Sequence, residues 1–60
     1  MKIILKYQEP ETAIDAYKFT AVYDETEIAE AVEELKAARR HGYEITRWSL
    51  VHEEDVENVL

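Results

Sequence analysis

The sequence contains no cysteine and only one glycine and one proline. Without cysteine the chain can form neither a disulfide nor a cysteine-ligated zinc site. One glycine is too few for the phosphate-binding loops of Walker or dinucleotide type. The only serine, Ser49, has no nucleophile-elbow glycine beside it, so acyl-transfer chemistry is not expected. These absences predict a protein that is not an enzyme and that folds without a cofactor.

Basic residues are also scarce, with seven Lys and Arg against fourteen Asp and Glu, a formal charge of −7. Nucleic-acid binding requires basic residues that displace counterions from phosphates, and anionic membranes likewise attract basic segments. We therefore expect no direct binding to nucleic acid or membrane. The complementary partner for this charge is a basic surface on another protein.

Histidine is limited to His41 and His52, which do not form a helical metal-binding pair. His52 stands beside Glu53 and Asp55, but this grouping matches no metal-loop spacing, so no metal site is expected. The apolar run from Met1 to Leu5 is too short for a signal peptide, and no run reaches the length of a membrane span. We expect a cytoplasmic protein.

The 60 residues are 47 % hydrophobic and are expected to fold as one domain, residues 1–60. Alternating apolar residues predict strands at 2–7, 16–23 and 43–51, and the polar segment 8–15 predicts a loop between the first two. A domain this small without disulfides has a marginal core, which makes self-association plausible.

The clearest local signals enclose one helix. Asp24 is placed to cap its N-terminus, with Glu27 completing a capping box, and Gly42 is placed to end it in a left-handed conformation. Acidic residues dominate its first half and basic residues its second, which suits the helix dipole. An apolar stripe runs between the caps through Ile28, Ala31, Val32, Leu35 and Ala38.

The order strand, strand, helix, strand predicts a small α+β domain of ββαβ type, a three-stranded sheet with the helix on one face. A right-handed crossover would place the third strand parallel to the second, with the first antiparallel to either. Val56, Val59 and Leu60 have helical spacing and predict a short C-terminal helical turn, with a frayed tail as the alternative.

The third strand has an interrupted alternation. Tyr43 and Ile45 share one face, whereas Trp48 and Leu50 fall on the opposite one. Either a bulge near Thr46 and Arg47 returns Trp48 to the core, or Trp48 and Leu50 lie on the face away from the helix. Both arrangements are compatible with the sequence.

Carboxylates on the helix and near the C-terminus form the main candidate binding surface, with a purely solvated helix face as the alternative. In composition the chain resembles small acidic phage or mobile-element proteins that inhibit nucleic-acid enzymes by imitating phosphate charge. This resemblance implies a non-enzymatic inhibitor that contacts a basic surface of its partner. The candidate residues are Glu27, Glu30, Glu33, Glu34, Glu53, Glu54 and Asp55.

The alternative function is a homodimeric structural or regulatory domain. One helix covers only one face of the sheet, so the other face is expected to be partly bare and open to a second copy. Trp and Arg are common anchors of protein interfaces. The candidate interface residues are Ile4, Val22, Arg47, Trp48 and Leu50.

Overall fold

Three antiparallel strands form the sheet in a computed structural model, which describes residues 1–10 and 15–60. The central strand β1 (Lys2–Gln8) pairs with β2 (Lys18–Asp24) on one side and with β3 (Glu44–Val51) on the other. Helix α1 (Ile28–Arg40) connects β2 to β3, and a short helix α2 (Val56–Val59) follows β3. The predicted α+β fold with a C-terminal helical turn is confirmed.

The connection from β2 through α1 to β3 crosses over the central strand β1. β2 and β3 run in the same direction, as predicted, but each pairs with β1 and they do not pair with each other. The second strand begins at Lys18 rather than Ala16, and Tyr17 is 72 % exposed. Residues 11–14 of the predicted loop lie outside the described residues.

The helix starts where its capping signals predict. The Asp24 N–H donates to Glu27 Oε1 at 2.9 Å, and Asp24 Oδ1 accepts from the Thr26 N–H at 3.3 Å. One 3₁₀ turn (Glu25–Glu27) precedes α1. The Thr26 hydrogen bond and the nearby Lys2 ammonium hold the pKa of Asp24 below its ordinary value, because each stabilises the carboxylate.

The helix ends in a Schellman motif around Gly42, which has a φ of +82°. The Tyr43 N–H donates to the carbonyl of Ala38 and the Gly42 N–H to that of Arg39, both at 3.0 Å. These bonds satisfy carbonyls that the end of a helix otherwise leaves unpaired. Both predicted helix ends are therefore confirmed.

We expect Gly42→Ala to lower the free energy of unfolding by about 1 kcal/mol, because a Cβ disfavours the left-handed conformation. A Cβ at this position would meet no atom within 4 Å, so the cost comes from the backbone alone. Gly42→Asn is the matched control and should lose less, since asparagine tolerates this conformation. Denaturant unfolding measures both. Equal stability of wild type and the alanine variant would contradict the prediction.

A bulge in β3 decides the positions of Trp48 and Leu50. Lys6 pairs with Arg47 but Tyr7 pairs with Ile45, which leaves Thr46 as the extra residue. Beyond the bulge Trp48 lies opposite Leu5, on the face that carries α1. The structure thus selects the bulge from the two arrangements that the sequence left open.

The C-terminal segment covers part of the face opposite α1. Lys6 Nζ donates to the Leu60 carbonyl at 3.4 Å, and Lys2 Nζ lies 3.6 Å from Glu53 Oε1. Both lysines share a face with Ile4, which lies between them along β1 and has no exposed surface. The 3₁₀ turn Glu53–Asp55 and α2 therefore cross this face and bury Ile4.

This arrangement corrects one expectation from the sequence. Ile4 was expected on a bare face, available to a partner, but it is 0 % exposed because the C-terminal segment lies over it. Val22, opposite Ile4 on β2, stays 45 % exposed. Among the described residues the buried apolar set is small: Ile3, Ile4, Leu5, Ala31 and Ala38.

Candidate binding surfaces

The four predicted carboxylates of the helix region have unequal surroundings. Glu27 accepts the backbone N–H of Asp24 in the capping box, and Glu34 accepts the Tyr7 hydroxyl at 2.8 Å. Glu30 and Glu33 are exposed. The three salt bridges among the described residues involve Met1 and Lys2, and none includes Glu30 or Glu33. Of the four, these two carboxylates are therefore the ones most available to a partner.

The Tyr7 hydroxyl is held between the sheet and the helix. Burial, together with the hydrogen bond to Glu34, raises the pKa of Tyr7 to about 12 because both disfavour the phenolate. The Tyr7 ring stacks on Phe19 with centroids 5.0 Å apart and contacts Tyr43 at 5.5 Å. Through this hydrogen bond Glu34 helps to hold α1 over the aromatic cluster of Tyr7, Phe19 and Tyr43.

A shallow groove of about 590 Å³ runs along the side of α1 that faces β2. Carboxylates from α1 line one side, alanines contribute apolar surface, and Tyr23 is contributed by β2, which is an edge strand. Burial and the nearby Glu34 raise the pKa of Tyr23. We name this feature the acidic groove; it is lined by Tyr23, Ala29, Glu30, Glu33, Glu34, Ala37 and Arg40.

The second predicted acidic cluster lies on the other side of the sheet. Glu53 is 3.6 Å from Lys2, whose side chain is on the face opposite α1, and Glu54 and Asp55 are exposed in the same turn. The seven carboxylates grouped by the sequence are therefore divided between two faces. A single flat contact cannot include both clusters.

A second groove, of about 450 Å³, lies between the start of α1 and β3. Its walls are mainly apolar, and its large side chains are only partly covered: Leu50 is 54 % exposed, Ile28 50 % and Trp48 39 %. Their exposure is unusual for residues on the helix-facing side of a sheet. We name this feature the apolar groove; it is lined by Ile3, Glu25, Ile28, Trp48, Ser49 and Leu50.

The two candidate interface anchors, Arg47 and Trp48, lie on opposite faces of the sheet. Trp48 faces the α1 side, whereas Arg47 pairs with Lys6 on the opposite face and donates from Nη1 to Ser49 Oγ at 3.2 Å. The sequence also placed Ile28 in the apolar stripe of the helix, but its side chain is 50 % exposed. The sequence feature that could have indicated this exposure is the position of Ile28 in the first turn of the helix.

Within the described residues, no cluster of three or more His, Asp or Glu side chains is arranged to hold a metal ion. None of the helices in this part of the chain is long and apolar enough to cross a membrane.

No protein-family model, curated protein or solved structure matches this chain.

Proposed function

We propose that this protein is a non-enzymatic interaction module that presents the acidic groove to a basic surface of a partner protein. The observation that carries the proposal is the pair of exposed carboxylates Glu30 and Glu33 beside Tyr23, neither of which forms a salt bridge among the described residues. The proposal places this interaction in the cytoplasm.

The shape and chemistry of the acidic groove favour lysine or arginine side chains. Carboxylates attract the cationic group, while Tyr23 and the alanines offer apolar surface to its methylene stem. An aromatic ring beside a carboxylate also suits a cation that lies over the ring face. No strand in residues 1–10 and 15–60 pairs with the outer edge of β2, so an extended basic segment can add to the backbone groups there.

A net charge of −7 adds long-range attraction to this local chemistry. Proteins that bind nucleic acid carry basic surfaces, whose charge is opposite in sign to that of this chain, so they are the partner class that the proposal favours. Occupation of such a surface would exclude nucleic acid from it, which is the action of an inhibitor that imitates phosphate charge.

A double charge reversal, Glu30→Lys with Glu33→Lys, tests the proposal. The probe is a short synthetic peptide of alternating lysine and alanine, and binding is measured by calorimetry at several salt concentrations. We expect the reversal to weaken binding by about tenfold or more, because two groove charges change sign. Wild-type affinity should fall as salt rises. Glu27 and Glu34 are left intact because their hydrogen bonds support the fold.

The matched control is Glu44→Lys with Glu57→Lys, which changes the net charge equally. Glu44 pairs with Gln8, on the face opposite α1, and Glu57 is exposed on α2. The control should bind the peptide within about threefold of wild type, since the groove is unchanged. Equal weakening by both double variants would show that only net charge matters. Wild-type binding to a DNA duplex at physiological salt would also contradict the proposal.

A further inference from the structure

The apolar groove opens onto an unpaired strand edge. β3 is the outer strand of the order β2-β1-β3, so no strand among the described residues pairs with the backbone N–H and C=O groups along its outer side. Ser49 borders the groove although its neighbours Trp48 and Leu50 supply the apolar walls. The groove therefore extends to the edge of β3, and exposed apolar side chains lie directly beside free hydrogen-bonding groups.

We propose that a second copy of this chain docks here by antiparallel pairing of the two β3 edges. Such a contact is isologous, because each copy offers the same strand to the other. The two sheets would become one six-stranded sheet. The apolar grooves would meet at the dyad and cover Ile28, Trp48 and Leu50, which are now partly exposed.

Charge favours a second copy as the occupant of this surface. Between residues 43 and 52 the only acidic residue is Glu44, and Arg47 offsets it. Two copies that each carry −7 would therefore meet at a strand with no net charge of its own, which limits their repulsion at the contact. A basic partner would instead be drawn to the carboxylates of α1 or of the C-terminal turn.

The small size of the core is a second reason to expect another copy of this chain at the apolar groove. Five buried apolar residues in the described part of the chain, and no cysteine for a disulfide, leave this 60-residue domain with little internal stabilisation. Burial of the groove across a dyad would add apolar contacts that one copy cannot make. Self-association is therefore a source of stability as well as of assembly.

The proposed register follows from the position of Trp48 and Leu50 on the α1 face. Residues directly opposite one another in an antiparallel pair point to the same face. Downstream of Thr46, a dyad at Ser49 places Trp48 of one copy opposite Leu50 of the other, twice, on the α1 face. A dyad perpendicular to the sheet also places both α1 helices on that face, so the dimer presents its two acidic grooves on one face, each beside one of the outer β2 strands.

Single cysteine variants test this geometry cleanly because the chain has no native cysteine. Ser49→Cys should crosslink efficiently with a short bifunctional thiol reagent, since Ser49 lies at the proposed dyad. Thr20→Cys is the matched control on the other edge strand, on the same face as Ser49. It should stay uncrosslinked. Crosslinking of Thr20→Cys with none at Ser49→Cys would overturn the proposal.

Association is measured by light scattering from micromolar to millimolar concentration. Wild type should dimerise, and its melting temperature should rise with concentration because dimer formation stabilises the fold. Leu50→Lys should dissociate the dimer, whereas Val22→Lys, at a similarly exposed position on β2, should not. A strict monomer with a concentration-independent melting temperature would overturn the proposal, and this readout does not depend on any variant folding.

Discussion

Ile4→Ala is expected to lower the free energy of unfolding by about 3 kcal/mol, the typical cost of truncating a fully buried aliphatic side chain. Ile4 lies in the central strand with no exposed surface, beneath the C-terminal segment. A domain of this length is stabilised by roughly 6 kcal/mol in total, so the change would remove about half of that. Chemical denaturation monitored by circular dichroism provides the measurement.

Val22→Ala is the matched control for this substitution. Val22 lies directly opposite Ile4 on β2 and points to the same face, but it is 45 % exposed. Its truncation should cost less than about 1 kcal/mol, because less apolar surface is returned to water. If the two substitutions had equal effects, the C-terminal segment would not cover Ile4.

Ala31→Leu is expected to destabilise the domain by about 2 kcal/mol or more, because added methyl groups overpack a tight contact. Ala31 is 0 % exposed on the side of α1 that faces the sheet. A larger side chain there must push the helix away from β1 or adopt a strained rotamer. Thermal unfolding should show a melting temperature lower by about 10 °C.

Ala29→Leu makes the same chemical change two residues away, at an exposed position bordering the acidic groove. It should leave stability within about 0.5 kcal/mol of wild type, because surface substitutions rarely exceed that value and leucine is a good helix former. Equal losses at both positions would mean that the smallness of Ala31 is not required for α1 to pack.

Local signals in the sequence were sufficient to predict the helix and its ends. The capping box joins Asp24 to Glu27, and the Schellman bonds join Gly42 and Tyr43 to residues at most five positions earlier. Interactions over so few residues need no knowledge of the rest of the fold. For the same reason, the alternation within each strand was enough to predict β1, and β2 with an error of two residues at its start.

The candidate surfaces depended on contacts between distant residues. The residue type and charge of Glu30 and Glu33 are visible in the sequence, but the commitment of Glu34 to Tyr7 requires contact across 27 positions. Likewise, Trp48 and Leu50 were recognised as interface candidates. Their placement beside Ile28 depended on the bulge in β3. The interrupted alternation of the strand was compatible with this bulge but also with a regular strand.

The sequence by itself determined the helix, its caps, the acidic charge and the absence of cysteine chemistry, because these follow from composition or from neighbours within one helical turn. Only the tertiary structure decided which apolar residues are buried. Lys6 reaches Leu60 across 54 positions, and this long-range packing covers Ile4 and separates the two acidic clusters. Such contacts depend on the pairing register and on chain segments that meet only when the sheet has formed.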